Sequence, residues 1–419
     1  MRCGFLGLSH LGLVHSTVTA SLGWDVVQFS PSKEVVSLLN SQGPDVYEPG
    51  LRELWQLTKS RRKVTSDEEQ LHSCDLLVVA PDVVTSAEGE SELTEVDVLM
   101  NTAIKCASGG APVILMSQVP PGYTRKFSTT REQIFYQVET LVFGLAVQRT
   151  LSPERIIVGA PHGGVEIPEP YAEWLRAFSA PVYVMRFESA ELAKISINLF
   201  LAASLSTTNS LAELAERVGA DWAEIEPTLR TDRRFGQHAY LSPGLGISGG
   251  NIERDLVTFR RLADASDVND AVISSFIHHS AYRKQFVVEQ IRRTASNGDP
   301  VVGLLGLAYK VGTGSIKNSP SILTIQALPT TTFVAHDPIA TLSPGLSNAR
   351  QCATLEEVVH SAAVIAIMTP WPEYSGLLGD FAQVLREKIA VVDPFGMLPA
   401  TMFMDSACRH VVLGRGEMT

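Results

Sequence analysis

Lys194 and Asn198 stand four residues apart in the stretch AELAKISINLF, a spacing that puts both on one face of a helix. A lysine among Leu192, Ile195 and Leu199 is open to desolvation, which lowers an ammonium pKa and suits the group to proton transfer. Such a Lys-x-x-x-Asn pair can take a proton from an alcohol while orienting the carbinol for hydride loss. By spacing alone the blander reading, a solvated lysine on a helix face, is the commoner one. A second stretch, GISGGNIERD from Gly246 to Asp255, is dense in glycine, the residue that lets backbone approach a ligand closely. Its central Asn251 carries an amide, which is neither nucleophile nor base at neutral pH. Asp255 closes the loop, and Arg234 in RTDRRFG precedes it.

Near the start, Gly7-Leu8-Ser9-His10-Leu11-Gly12 follows an apolar strand-like run. This is the dinucleotide fingerprint with its middle glycine replaced by Ser9. Gly7 fits the tight turn, Gly12 the close packing of helix on strand, and Ser9 and Leu11 lie where phosphates come nearest. The next strand, in VVQFSPSK, ends at Ser30 where an acid grips the ribose of NAD. Ser30, Ser32 and Lys33 together suit a 2′-phosphate, so NADP stands as the alternative to NAD. Lys310 and Lys317 follow a second strand-turn, and Glu139 is a lone acid in FYQVETLVFG.

The elements that must position these residues are legible as alternating patterns. CGFLGL, WDVVQF, DLLVVAP, PVILMS and RIIVGA are short apolar runs separated by crossover-length segments, the signature of a parallel sheet covered by helices on both faces. From about Ala190 to Gly219 a proline-free stretch with one apolar stripe from Leu192 to Leu214 and a final glycine predicts a long helix with a glycine C-cap. Helical sequence continues to about Thr294, and strand patterns return in PVVGLLGLAY, TTFVAHDP, VIAIMTP and IAVVDPF. GLLGLAYKVG echoes GFLGLSHLG. The expected fold class is therefore α/β, with two Rossmann-like parallel-sheet domains joined by a long central helix and a helical middle region. The expected domains are 1–189, 190–294 and 295–419.

Composition narrows the function classes. The chain has 419 residues and a formal charge of −11, so nucleic acid and anionic membrane are unexpected partners. Five scattered cysteines, Cys3, Cys74, Cys106, Cys352 and Cys408, show neither CxxC nor metal-ligand spacing. With no cleavable apolar leader and no apolar run long enough to span a bilayer, the expected location is the cytoplasm and no metal site is expected.

The order of motifs along essentially the whole chain resembles the UDP-glucose/GDP-mannose dehydrogenase family. NSQGPDVYEPGLRELW resembles the stretch after that family's second strand, SQVPPGYT its STVPPGTT loop and LSPERIIVG its NPDRIVIG. ELAKISINLF resembles its ELxKxxxNxF helix, GLAYKVGTGSIKNSP its GLAFKxxTDDxRxSP, and VAHDP its VYDP. The resemblance implies oxidation of a nucleotide-sugar C6 alcohol to a carboxylate with two NAD. It also implies an N-terminal NAD domain, a central dimerisation region and a C-terminal nucleotide domain. By position, Lys194 and Asn198 match the catalytic lysine and asparagine, Asp255 the aspartate that works on a water, and Glu139 the glutamate of the NPEFL segment. Arg234 matches an arginine reaching the neighbouring subunit's sugar, Lys310 a substrate-binding lysine, Gly249 a glycine of the substrate loop, and Lys317 replaces an arginine near the cofactor.

The departures from the family pattern gather at the chemistry. SGGN stands where the family has GGSC, so Asn251 replaces the catalytic cysteine, whose thiohemiacetal and thioester an amide cannot form. Ser9 replaces the second fingerprint glycine, Ser30 the ribose acid and Gln118 the threonine of STVPPG. Asp82-Val83-Val84-Thr85 replaces the GTPT cofactor loop, and Asp393-Pro394-Phe395-Gly396 replaces DGRN. The expectation is a homodimeric NAD(P)-dependent oxidoreductase limited to two-electron chemistry on a nucleotide-linked or phosphorylated sugar. The alternatives are a redox-neutral epimerase or lyase that retains its cofactor, and an inactive dimeric binding or regulatory pseudoenzyme.

Overall fold

The structure, a computed structural model, describes residues 1–86, 89–107, 109–128, 133–294, 300–379 and 381–416. The expected boundary at 294/295 thus borders residues outside the described set. The chain forms two compact units, Met1–Ile197 and Asn198–Thr419, and the division falls inside the long helix Phe187–Val218.

The first unit is built on an eight-stranded sheet. Its strands are β1 (Arg2–Leu6), β2 (Asp25–Phe29), β3 (Arg62–Thr65), β4 (Leu76–Val79), β5 (Val113–Leu115), β6 (Ile134–Gln137), β7 (Ile156–Ala160) and β8 (Val182–Arg186). They lie in the order β3-β2-β1-β4-β5-β6-β7-β8. β1 has β2 on one side, Cys3 opposite Val26, and β4 on the other, Cys3 opposite Leu76. The strand order therefore reverses direction at β1, which opens a crevice at the carboxyl ends of β1 and β4. All pairs are parallel except β6 with β7, which is antiparallel. This corrects the reading of RIIVGA as one more parallel strand. A strand buried on both faces shows an unbroken apolar run whichever way it points. The edge strand β3, RKVT, carries no such run; β8, VYVMR, opens on one, yet as an edge strand it leaves Tyr183 54% exposed.

The second unit holds a six-stranded sheet of β9 (Val302–Leu305), β10 (Phe333–His336), β11 (Ala349–Gln351), β12 (Val364–Ile367), β13 (Ala390–Val392) and β14 (Arg409–Val411). Its order, β11-β10-β9-β12-β13-β14, repeats the reversal of the first sheet, with every pair parallel. The echo between GFLGL and GLLGL thus marks the same position in two sheets of related design. Before this sheet come helices Asn251–Ala265, Ala271–Arg283 and Phe286–Thr294. A separate small core of Ala202, Ile247 and Leu256 ties the long helix to the glycine-rich loop and the helix that follows it.

The long helix starts at Phe187, three residues earlier than the apolar pattern suggests, and stops before Gly219, whose φ of 74° is the left-handed C-cap conformation. Among the described residues no helix is long and apolar enough to cross a membrane, and no cluster of His, Cys, Asp and Glu could hold a metal ion. The five cysteines are free and buried.

Candidate active site

The fingerprint loop sits at the crevice of the first sheet. Gly7 has φ 94°, and a Cβ there would lie 2.6 Å from the Pro81 nitrogen. A Cβ on Gly12 would lie 1.8 Å from the Gly7 oxygen, so both glycines are required by packing and the cradle has dinucleotide-binding form. Ser9 is the N-cap of helix His10–Ser21 without capping it through its side chain. Its hydroxyl instead accepts from the Asp82 N–H at 2.7 Å. Asp82 in turn accepts the Leu11 N–H on Oδ2 at 3.3 Å. A carboxylate therefore lies on one of the helix-terminal N–H groups that a pyrophosphate would use. The glycine cradle fits NAD, and Asp82 must give way for the phosphates to reach Leu11.

At the end of β2, Ser30 is buried and its hydroxyl accepts from the Ser32 N–H at 3.3 Å. Ser32 caps the next helix by accepting from the Val35 N–H at 3.3 Å. These hydroxyls shape the turn, and Lys33 heads the helix as an exposed cation. Thr85 forms an isolated bridge with Ser91. Half-buried Gln118 lies in the SQVPPGYT loop, which is pinned by Glu191: its carboxylate accepts the Gly122 N–H at 2.6 Å and the Thr124 N–H at 2.8 Å. Burial pushes the Glu191 carboxyl up, against those hydrogen bonds.

Glu139 is not the lone acid that its sequence context suggests. It forms a close ion pair with His15 and accepts the Thr140 N–H at 2.6 Å. Burial acts to raise its pKa, but the charge and hydrogen bond of His15, the Thr140 N–H and the charge of Lys194 outweigh it and hold the carboxyl below its usual range. Lys194 is half-buried on the long helix, one turn before Asn198. Sequence reasoning missed His15, because a histidine inside an apolar helix reads as a core residue until β6 brings Glu139 beside it. It missed equally the His10–Glu48 pair at 3.1 Å. Glu48, from the quoted VYEPG, also accepts the Gly144 N–H at 3.1 Å and the Ala146 N–H at 2.7 Å.

In the second unit, Asn198 donates from Nδ2 to Asp255 Oδ2 at 2.5 Å. Asp255 is fully buried, and its other oxygen faces the buried Arg254 Nε at 3.5 Å. Asn251 is exposed at the first position of helix Asn251–Ala265. Gly249 has φ 79°, and a Cβ on it would meet the Tyr309 ring at 2.7 Å. Its carbonyl accepts from Asn318 Nδ2 at 2.9 Å, and the same amide reaches Glu253, which pairs with Lys284 at 2.6 Å. Lys317 lies along Gly250, with Cδ 3.3 Å from where a Cβ would be. Lys310 is half-buried, 5.8 Å from the Tyr309 ring centre. The exposed Arg234 side chain folds onto Asp232 at 2.6 Å. The second sheet's own crevice is ordered by Asp337, from VAHDP, which accepts the Leu307 and Ala308 N–H groups at 2.7 and 2.9 Å. The structure thus joins Asn198 with Asp255, sets Glu139 in the field of Lys194, and gathers Gly249, Asn251 and Lys317 about one loop.

Comparison with known proteins gives this geometry its context. Residues 1–167 match the NAD binding domain of the UDP-glucose/GDP-mannose dehydrogenase family, 188–280 its central domain and 303–400 its UDP binding domain. The cofactor indicated is NAD. The UDP-glucose 6-dehydrogenase AglM of Haloferax volcanii is 27% identical, over 93% of this chain and 96% of that protein. The UDP-glucose 6-dehydrogenase TuaD of Bacillus subtilis is 26% identical, over 94% of this chain and 88% of its own length. Among solved structures, a UDP-glucose dehydrogenase from Pyrobaculum islandicum superposes with TM-score 0.86 at 26% identity, covering 99% of this chain and 98% of that one. A UDP-D-ManNAc dehydrogenase from Pyrococcus horikoshii shares the fold at TM-score 0.84 and 23% identity, each chain covered in full. With all three parts matched in order, the chain belongs to the UDP-glucose/GDP-mannose dehydrogenase family of NAD-dependent oxidoreductases.

Proposed function

We propose that this chain performs a two-electron, NAD-dependent oxidoreduction at an alcohol carbon of a nucleotide-linked or phosphorylated sugar and stops short of the acid. The observation that carries this reading is Asn251 at the head of its helix, in the loop position where the family pattern has a cysteine. An amide forms no thiohemiacetal, so the second oxidation has no thioester to pass through. Bound NAD supplies the hydride acceptor. Lys194 takes the hydroxyl proton, and Asn198, its amide held by Asp255, orients the carbinol. Asp255 works on a water, and Glu139 takes the role of the family glutamate that it matches. Gly7, Ser9, Leu11 and Gly12 border the pyrophosphate. Ser30 and Lys33 border the adenosine ribose, where a 2′-phosphate of NADP is the alternative. By their positions in the family pattern, Thr85, Gln118 and Lys317 take the remaining cofactor-binding roles, Gly249 and Lys310 bind the sugar nucleotide, and Arg234 reaches the neighbouring subunit's sugar.

The same reading assigns residues 1–189 to the cofactor, 190–294 to a dimer interface and 295–419 to the nucleotide, in a cytoplasmic homodimer. Mass spectrometry of the products from UDP-glucose with excess NAD tests it. The expected product is the aldehyde, trapped with hydroxylamine, and accumulation of the glucuronate overturns the proposal. Asn251→Cys alone restores no acid formation, because Gln118 and Phe395 depart from the family pattern as well.

Asp82 favours a second reading, a binding or regulatory pseudoenzyme, because its carboxylate lies on the Leu11 N–H. Fluorescence titration with NADH and NADPH separates the two readings: binding of either supports the oxidoreductase, and binding of neither supports the pseudoenzyme.

A further inference from the structure

The second unit contains a cleft of about 960 Å³ that none of the roles above uses. It is bordered by the end of the long helix, by helices Ala271–Arg283 and Phe286–Thr294, and by β14 with the segments flanking it. This volume lies at the upper end of the range for small-molecule sites, about 300–1,000 Å³. Five arginines line it, Arg217, Arg283, Arg293, Arg409 and Arg415, together with His410.

Two of these guanidiniums are incompletely satisfied. The Arg283 side chain is 3% exposed and gives one N–H to Glu213 at 3.2 Å. Among the described residues its Nε and Nη2 meet no acceptor. Arg415 donates Nε to Asp221 at 3.0 Å, while its buried Nη1 meets no acceptor among the described residues. His410 Nε2 is also buried and makes no hydrogen bond among the described residues, but it faces the buried Asp393 carboxylate at 3.6 Å. Buried donors left unmade cost free energy, the more so when they are charged, and such groups are usually matched by a ligand or ordered water. The acids on the cleft offset part of this charge, since its lining sets three glutamates against the five arginines. Glu213 already accepts from Arg283 and from the Tyr282 hydroxyl at 2.5 Å, Glu216 accepts the Gly414 N–H at 2.9 Å, and Glu289 is exposed. A flat apolar flank adjoins the cations: Phe403 stacks on His410 at 4.3 Å, and Phe286 lies 5.4 Å from the Arg283 guanidinium.

We propose that this cleft is a second anion site, which takes a small molecule bearing two or more phosphate groups through the free N–H groups of Arg283 and Arg415. Guanidinium forks match phosphate oxygens in geometry as well as charge. The aromatic flank accepts a ring if the anion carries one, so inorganic pyrophosphate and ATP distinguish a site for phosphate alone from one that also holds a base.

Calorimetry on the full chain with each probe, followed by hydrogen–deuterium exchange at saturation, tests the proposal. The expected result is saturable binding with protection concentrated in 282–293 and 409–415. Arg283→Lys and Arg415→Gln should each weaken binding by about tenfold or more, as loss of a charge-assisted contact does. Equal affinity for the two probes assigns the site to phosphate alone, and tighter ATP adds the ring contact. Should Arg283→Lys fail to fold, Arg415→Gln carries the test, since its guanidinium is only partly buried. The proposal is overturned by absence of saturable binding at millimolar probe. It is overturned also by protection confined to 7–12 or 310–317, or by unchanged affinity in a variant that keeps the parent melting temperature.

Discussion

Asn198 and Asp255 are 57 residues apart in sequence, yet the amide N–H of one lies 2.5 Å from the carboxylate of the other. The pair is buried, and Arg254 closes on the second carboxylate oxygen. Removing the carboxylate takes away the acceptor that the buried Arg254 guanidinium and the buried Asn198 amide share. Asp255→Ala should therefore cost about 3–5 kcal/mol of stability, and Asp255→Asn less, because it still offers an oxygen. Urea unfolding of the two variants checks the order, and equal stability of Asp255→Ala and the parent chain would remove the pair from any positioning role.

Lys194 is the titratable group one helical turn before that pair. General acid–base assistance is worth about a hundred- to ten-thousand-fold in rate, so Lys194→Ala should lose turnover by about that factor. Lys194→Arg should rescue little, since a guanidinium stays protonated. Turnover and melting temperature measured on one preparation separate catalysis from structure. An unstable but fully active Lys194→Ala variant would end the assignment.

Asp82 occupies a helix-terminal N–H in the cofactor crevice. Taking its negative charge away should tighten dinucleotide binding by about fivefold, the scale of one charge at a helix N-terminus. NADH titration of Asp82→Gly is the measurement. Unchanged or weaker affinity would show that the carboxylate does not compete with the phosphates.

Glu139 supplies a pH dependence. His15 and Lys194 hold its folded carboxyl below the ordinary value of 4.5 despite burial. A depressed folded pKa stabilises the fold fully above the unfolded value, and that contribution is lost as pH falls through the folded one. The melting temperature of the parent chain should thus exceed that of Glu139→Gln at neutral pH, and the gap should close below pH 4.5. A gap that stays constant into acid would assign the difference to packing.

The long helix leaves Phe200 78%, Leu211 43% and Leu214 55% exposed, an apolar row of the kind that marks a protein interface. Light scattering at micromolar concentration should find a dimer, and Phe200→Glu should shift it toward monomer. A monomeric parent chain would contradict the proposed assembly.

The alternation of strands and helices, the long helix and the fingerprint turn were all legible in the residue pattern. Those features depend on local periodicity and on the dihedrals open only to glycine, so a window of a few residues carries them. The antiparallel direction of β7 and the edge strand β3 did not follow from pattern, because an apolar run has no direction and RKVT carries no such run. The candidate site divides along the same line. Lys194 and Asn198 were legible as an i, i+4 pair, whereas the roles of His15, Glu191 and Asp82 depend on which segment the sheet order brings beside them. Tertiary structure alone decided that Glu139 is paired, that Asn198 is held by Asp255, and that Asp82 lies on the Leu11 N–H. Charge and hydrogen bonding act over a few ångströms, and only the folded chain fixes which residues come that close.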